Sequence, residues 1–290
     1  MTSRRSFVKQ SGLALAAMAF MPSCVISKPR TKHLGVQLYS LRDHVNNNPK
    51  GVLEKVAKIG FKQVETYGLE KGKFWGMNVS ELKSVLDDND LKSPSGHYNA
   101  DPFLSKKGTD ADFSHILDVA KNLNQEYVTI PHLAERLRTS GDDYRRVAER
   151  LNRAGELCKS AGLKLGYHNH AFEFEKYGNE TGYEIFLNNT DADLVDFEMD
   201  IYWVVRAGKD PIELFNKHSN RFTMWHVKDA DKTNPKVNTE VGSGSINFKS
   251  IFDARKAAGA KYYFVEQESF KMDAFQSLQK SFDFVTSRLL

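Results

Sequence analysis

Four short stretches of the 290-residue chain carry ionisable side chains two residues apart: His168 and His170 in "GYHNHAFEF", Glu198 and Asp200 in "DFEMD", His226 and Lys228 in "WHVKD", and Glu266 and Glu268 in "FVEQE". That spacing puts both members of a pair on one face of an extended strand. Each residue alone has a bland explanation. Strand-end histidines are mostly hydrogen-bonded structural groups, and strand-end acids mostly cap helices or face water. Lys228 beside Asp229 reads alone as a surface ion pair of little worth. Four consecutive pairs converging on one rim do not reduce to these explanations. Burying so many ionisable groups together is unfavourable unless a cation or hydrogen bonds offset the desolvation. Imidazoles mixed with carboxylates suit a divalent ion such as Mn²⁺, Zn²⁺, Co²⁺ or Mg²⁺.

The elements that must position these pairs follow one repeated phrase: amphipathic helix, glycine stop, strand. "EKVAKIGFKQVET", "ELCKSAGLKLGYHNH" and "DARKAAGAKYYFVEQE" all read this way, with Gly60, Gly162 and Gly259 where a helix needs a left-handed residue to end. The pattern predicts eight strands, over 34–39, 61–66, 92–97, 127–131, 163–169, 194–201, 222–227 and 262–267. Eight βα units in this length predict a single-domain (β/α)8 TIM barrel spanning 31–290. An open doubly wound sheet is the alternative. It lacks a Gly-rich dinucleotide fingerprint after any strand, and "VGSGS" at 241–245 is a weak phosphate or lid signal.

In a barrel the site lies at the strands' C-terminal ends. Other strand ends then add candidate pocket residues: Gln37 and Tyr39 on one face of strand 1, Glu65 ending strand 2, His97 ending strand 3, and His132 just past strand 4. Trp203 and Phe172 are candidate apolar walls for a sugar ring, as is Trp75 on a loop.

Residues 1–30 read as an export signal and linker: a basic stretch with Arg4-Arg5, then the apolar run at 11–21. The pair resembles a twin-arginine signal, and "MPSC" resembles a lipobox with Cys24 as a candidate lipid anchor. Losing Arg4, Arg5 and Lys9 from the 41 Lys and Arg leaves 38 against 37 Asp and Glu. Such near-neutrality argues against a nucleic-acid partner. Cys158 then stands alone, so no internal disulfide is expected. The expected location is exported: periplasmic or lipid-anchored. These patterns leave the oligomeric state open.

At "YHNHAFEF", "MDIYWVVRAGKDPIELF", "WHVKDAD" and "YFVEQE" the chain resembles the xylose-isomerase-like TIM-barrel superfamily, in the sugar phosphate isomerase/epimerase branch that also holds inosose dehydratases. The resemblance runs from Leu34 to the C-terminus. It implies one divalent metal held by side chains of strands 5 to 8, matching Asp200, His226 and Glu266 here. His168 stands where many members have Glu, so either His168 is the strand-5 ligand or Glu173 reaches in from the following loop. Trp203 stands where many members have a His. The implied mechanism is enediolate formation, with His170 and Glu266 as base candidates, Glu173 and Glu268 next, and Lys228 on a developing oxyanion. Export favours a non-phosphorylated carbohydrate or keto-sugar as substrate. The expected activity is isomerisation or epimerisation, with a dehydratase or lyase acting on a keto-sugar or 3-keto-glycoside as the alternative. A non-catalytic sugar-binding protein and an abasic-site nuclease are weaker rivals.

Overall fold

The computed structural model describes residues 34–290. The expected export signal, the Cys24 anchor and the 1–30 boundary lie outside the described residues. Eight parallel strands close into a barrel: β1 (Leu34–Gln37), β2 (Gln63–Thr66), β3 (Lys92–His97), β4 (Tyr127–Ile130), β5 (Lys164–His168), β6 (Val195–Asp200), β7 (Met224–Val227) and β8 (Tyr262–Val265). Each pairs with its neighbour in sequence, and β8 returns to β1. The (β/α)8 architecture expected from the repeated phrase is therefore the observed one. Among the described residues no helix is long and apolar enough to cross a membrane.

Local signals act where the sequence places them. Gly60, Gly162 and Gly259 end helices at φ of 117°, 77° and 76°, a region that strains side chains with a Cβ. The Asn48, Asp210 and Asn247 side chains each accept a backbone N–H at a helix start, two of them just before a proline. Cys158 is buried inside the helix Gly141–Ser160.

Large and small residues alternate across the barrel interior. Tyr127, Met224, Tyr262 and Phe264 form an apolar floor separate from the main core. Gly35 and Gly166 make room for it: a Cβ on Gly35 would lie 2.7 Å from the Phe264 ring, and one on Gly166 2.7 Å from Met224 Cε. Above the floor every inward position is polar.

Two expectations are corrected at the rim. β1 stops at Gln37, and Leu38–Leu41 forms a 3-10 turn. Gln37 and Tyr39 therefore do not share a strand face. Gln37 points inward and accepts the Tyr39 N–H at 3.0 Å, whereas Tyr39 is 40% exposed. The glycines of "VGSGS" wrap an internal carboxylate and not an external phosphate. Asp229 accepts N–H groups from Ala230, Gly242, Gly244 and Ile246 at 2.8 to 3.1 Å. Gly244 passes so close that a Cβ there would lie 2.3 Å from the Asp229 carboxylate. Lys228 and Asp229 are both fully buried, so they are no surface pair.

Candidate active site

Strand register brings the paired residues together. Asp200 lies directly opposite His226, and Glu198 opposite His168. One ligand atom from each of Asp200, His226 and Glu266 falls within 4.8 Å of the others, and all three residues are buried. His226 Nδ1 is 2.9 Å from Glu266 Oε2. Asp200 Oδ1 caps the helical turn Ile201–Arg206 by accepting the Trp203 N–H at 3.1 Å, while Oδ2 is buried without a hydrogen-bond partner. Asn169 Oδ1 in turn accepts the Asp200 backbone N–H at 3.1 Å. The Lys228 ammonium lies 3.2 Å from Glu266 and 3.6 Å from Asp200, and it touches Glu268.

A second polar layer lies beneath. Glu65 accepts hydrogen bonds from Gln37 Nε2 at 2.7 Å and Ser95 Oγ at 2.5 Å, and lies 2.7 Å from His226 Nε2. His97 Nε2 lies 2.7 Å from Glu198 and 3.1 Å from Glu65. His168 Nδ1 lies 3.0 Å from Glu198.

These contacts set the charge states. Burial opposes the ionised form of Glu65, but the His97 and His226 imidazoles hold it well below the usual carboxylate range. Burial and the Glu65 charge push Glu198 up, yet His226 and His97 bring it down to about 2. Against its own desolvation, His97 rises to about 9 beside those two carboxylates. His170 goes the other way: burial and the Lys228 charge depress it to about 3, so its imidazole is neutral at pH 7. Burial, only partly offset by Lys228, raises Asp200.

A cavity of about 790 Å³ opens above the carboxylates. Tyr39, Tyr67, Phe172 and Trp203 supply aromatic walls, and His132, His170, Glu266 and Glu268 supply polar groups. No lysine or arginine lines it among the described residues. The His170 ring stacks on Phe172 with centroids 5.6 Å apart, and its Nδ1 is buried without a partner. Arg138 covers the Phe172 ring at 3.8 Å.

Of the residues singled out in the sequence, Tyr39, His97, His132, His168, His170, Trp203, Glu266 and Glu268 border this cavity, and Asp200, His226 and Lys228 lie against it from below. Three placements differ from expectation. Gln37 and Glu65 are fully buried in the lower layer, where Glu65 faces His226 and Gln37 bonds Glu65, and neither lines the cavity. Glu173 does not reach in. Its carboxyl accepts the Tyr167 hydroxyl at 2.8 Å and the His170 N–H at 2.8 Å, which turns it into the helix layer and leaves no route to the ligand group. Trp75 is not a wall; it packs behind Tyr67 with ring centroids 5.5 Å apart. Glu198 is the residue whose role the sequence left unassigned. Its signal was the two-residue spacing from Asp200. Ser95 and Asn169 carried no signal, being ordinary strand-end polar residues.

Fold and site together define the class. Residues 53–288 match the family described as xylose isomerase-like TIM barrel, and the chain belongs to it. A sugar phosphate isomerase/epimerase from Parabacteroides distasonis superposes with a TM-score of 0.80 at 30% identity, covering 90% of this chain and 96% of that one. An inosose dehydratase of Lacticaseibacillus casei is 25% identical over 272 residues, 79% of this chain and 86% of its own length. The IolI protein, solved with a bound zinc atom, shares the fold with a TM-score of 0.70 at 15% identity, covering 89% and 99% of the two chains.

Proposed function

We propose that this protein is an exported, divalent-metal-dependent isomerase or epimerase of a non-phosphorylated sugar or keto-sugar, working through an enediolate. One observation carries the reading. Asp200, His226 and Glu266 converge beneath an aromatic-walled cavity whose lining includes no lysine or arginine among the described residues. The donor set fits a metal: two carboxylates and an imidazole, one carboxylate oxygen buried and unpartnered, and three protein ligands leaving positions open. A divalent ion held there would polarise a substrate carbonyl and acidify the adjacent C–H.

The chain's own groups do the rest. Trp203 and Phe172 line the cavity and offer apolar contact to a sugar. His170, neutral at pH 7 and lining the cavity, is the base that accepts the proton. Lys228 holds the Glu266 and Glu268 carboxylates and directs positive charge towards a developing oxyanion. Glu268, one-third exposed at the mouth, is placed to return a proton. The basic leader and apolar run at the N-terminus support export, and an exported enzyme meets neutral sugars.

A dehydratase or lyase on a keto-sugar or 3-keto-glycoside is the second reading, favoured by the inosose dehydratases matched over most of the chain. Both reactions begin with the same proton abstraction. Incubation with a panel of keto-sugars and 3-keto-glycosides in D₂O with Mn²⁺ tests them together. Deuterium beside the carbonyl of recovered or epimerised sugar supports the first reading, and loss of water or an aglycone supports the second. No exchange on any panel member overturns both.

A further inference from the structure

Below the Asp200–His226–Glu266 group lies another that the proposed reaction does not use. His97, His168, Glu198 and His226 each offer a ligand atom within 4.8 Å of the others. Three imidazole nitrogens approach one oxygen, Glu198 Oε2: His97 Nε2 at 2.7 Å, His168 Nδ1 at 3.0 Å and His226 Nε2 at 3.2 Å. The other oxygen, Oε1, is buried and has no hydrogen-bond partner. Ligands bound at 2.0–2.2 Å in a tetrahedral zinc site stand roughly 3.3 Å apart. The spacings to Oε2 approach that figure from below, and Oε1 remains a buried acceptor that no hydrogen bond in the cluster uses and that an ion could take up.

We propose that His97 Nε2, His168 Nδ1 and Glu198 form a second, inner divalent-cation site. The lone pairs permit two ions without sharing a ring. Donation of Nε2–H from His226 to Glu65 at 2.7 Å frees its Nδ1 for the outer group. His168 spends Nδ1 on the inner ion and turns Nε2 towards Asp200 Oδ2, 3.9 Å away. Two imidazoles and a carboxylate favour Zn²⁺, Co²⁺ or Fe²⁺ over Mg²⁺. The histidine at strand 5 then has a reason: it serves the lower ion and not the upper one. The inner site does not depend on the proposed reaction.

The test counts ions. Untagged protein is stripped with a chelator, equilibrated with Zn²⁺ and desalted, and bound zinc is measured by mass spectrometry, with Co²⁺ absorption as a second readout. Wild type is expected to retain two ions per chain. His97→Gln and Glu198→Gln are each expected to retain one, as is Asp200→Asn, with native circular dichroism. His97, at the cavity wall, carries the test if Glu198→Gln does not fold. Two ions retained by both inner variants overturn the proposal. So does a single wild-type ion lost in Asp200→Asn and kept in His97→Gln, which leaves the outer reading standing. A single ion lost in His97→Gln and kept in Asp200→Asn upholds the inner site and removes the outer one. No ion in wild type overturns both.

Discussion

At the N-terminal end of the barrel, Tyr127, Met224 and Phe264 fill the interior with apolar bulk. Two residues further along the same three strands stand Thr129, His226 and Glu266. Both sets face inward and both are almost wholly buried, so position along the strand and not exposure separates them. The floor is held by close packing, with two glycines opened to admit the Phe264 ring and Met224. The level above the floor is held by charge: two carboxylates, Glu65 and Glu198, kept ionised by imidazoles that are raised in turn. Alternation gives a barrel strand one inward face, and the compensation available at each level decides which chemistry that face can carry. The floor is filled by rings and a thioether, and the level above it by carboxylates paired with imidazoles.

The sharpest way to break that contrast is to empty the floor. Phe264→Ala removes a fully buried ring and is expected to lower unfolding stability by about 3–5 kcal/mol. Urea denaturation measures it, and the metal content of the folded fraction should stay at the wild-type level. The complementary change at the mouth is Asp200→Asn. The amide oxygen can still cap the Trp203 N–H, so the helical turn should survive. Proton exchange on the active keto-sugar is expected to fall by about 100-fold or more, with a thermal midpoint near wild type. If Asp200→Asn unfolds the protein while exchange per folded molecule is unchanged, the mouth is structural and the contrast fails.

The same contrast explains what was readable in advance. Strand count, helix stops and the four ionisable pairs were legible because each rests on a local rule: left-handed glycine, period-two alternation, capping Asn or Asp. The four pairs could be placed on one rim because neighbouring strands in a barrel align, and the family resemblance picked out Asp200, His226 and Glu266 among them. Depth along the barrel axis was not legible. Gln37 and Glu65 look like mouth residues in sequence, yet strand stagger sets them one layer down. Glu173 stood as a ligand and base candidate through the family resemblance, but the 3-10 turn Phe172–Phe174 points it backwards into Tyr167. Which way a loop turns is a tertiary fact. Asp229 shows the same limit, since nothing local says that 241–245 will fold over it.

Glu173 sharpens the comparison from outside the barrel. It is a fully buried carboxyl with no imidazole partner, and burial pushes it up to about 7 from the ordinary 4.5. A raised acid is held protonated in the native state, whereas the unfolded chain releases the proton above about 4.5. Its contribution to stability is therefore present below 4.5 and lost as pH rises towards 7. Glu173→Gln imitates the protonated form. We expect its stability profile between pH 4.5 and 8 to be flatter than wild type by an amount on the order of 2 kcal/mol, read from denaturation midpoints across that range. Parallel profiles would mean that Glu173 is ionised without a cation, against the rule drawn from the two halves of the barrel.

Glu65 tests whether the lower layer serves the upper one. Its Oε2 lies against His226 Nε2 at 2.7 Å, and the other ring nitrogen of His226 faces Glu266. Glu65 is placed to accept the Nε2–H of His226, which would leave Nδ1 to an ion held by the outer group. Gln37 donates to one oxygen of Glu65 and Ser95 to the other, so whichever position the new amide nitrogen of Glu65→Gln takes, its N–H faces another donor. Every outer ligand remains, yet divalent-metal affinity is expected to fall about 10- to 100-fold in a chelator competition, the usual loss for an orienting carboxylate. An unchanged affinity would make Glu65 part of the packing alone. The boundary between structural interior and working site would then sit one layer higher, at His226 itself.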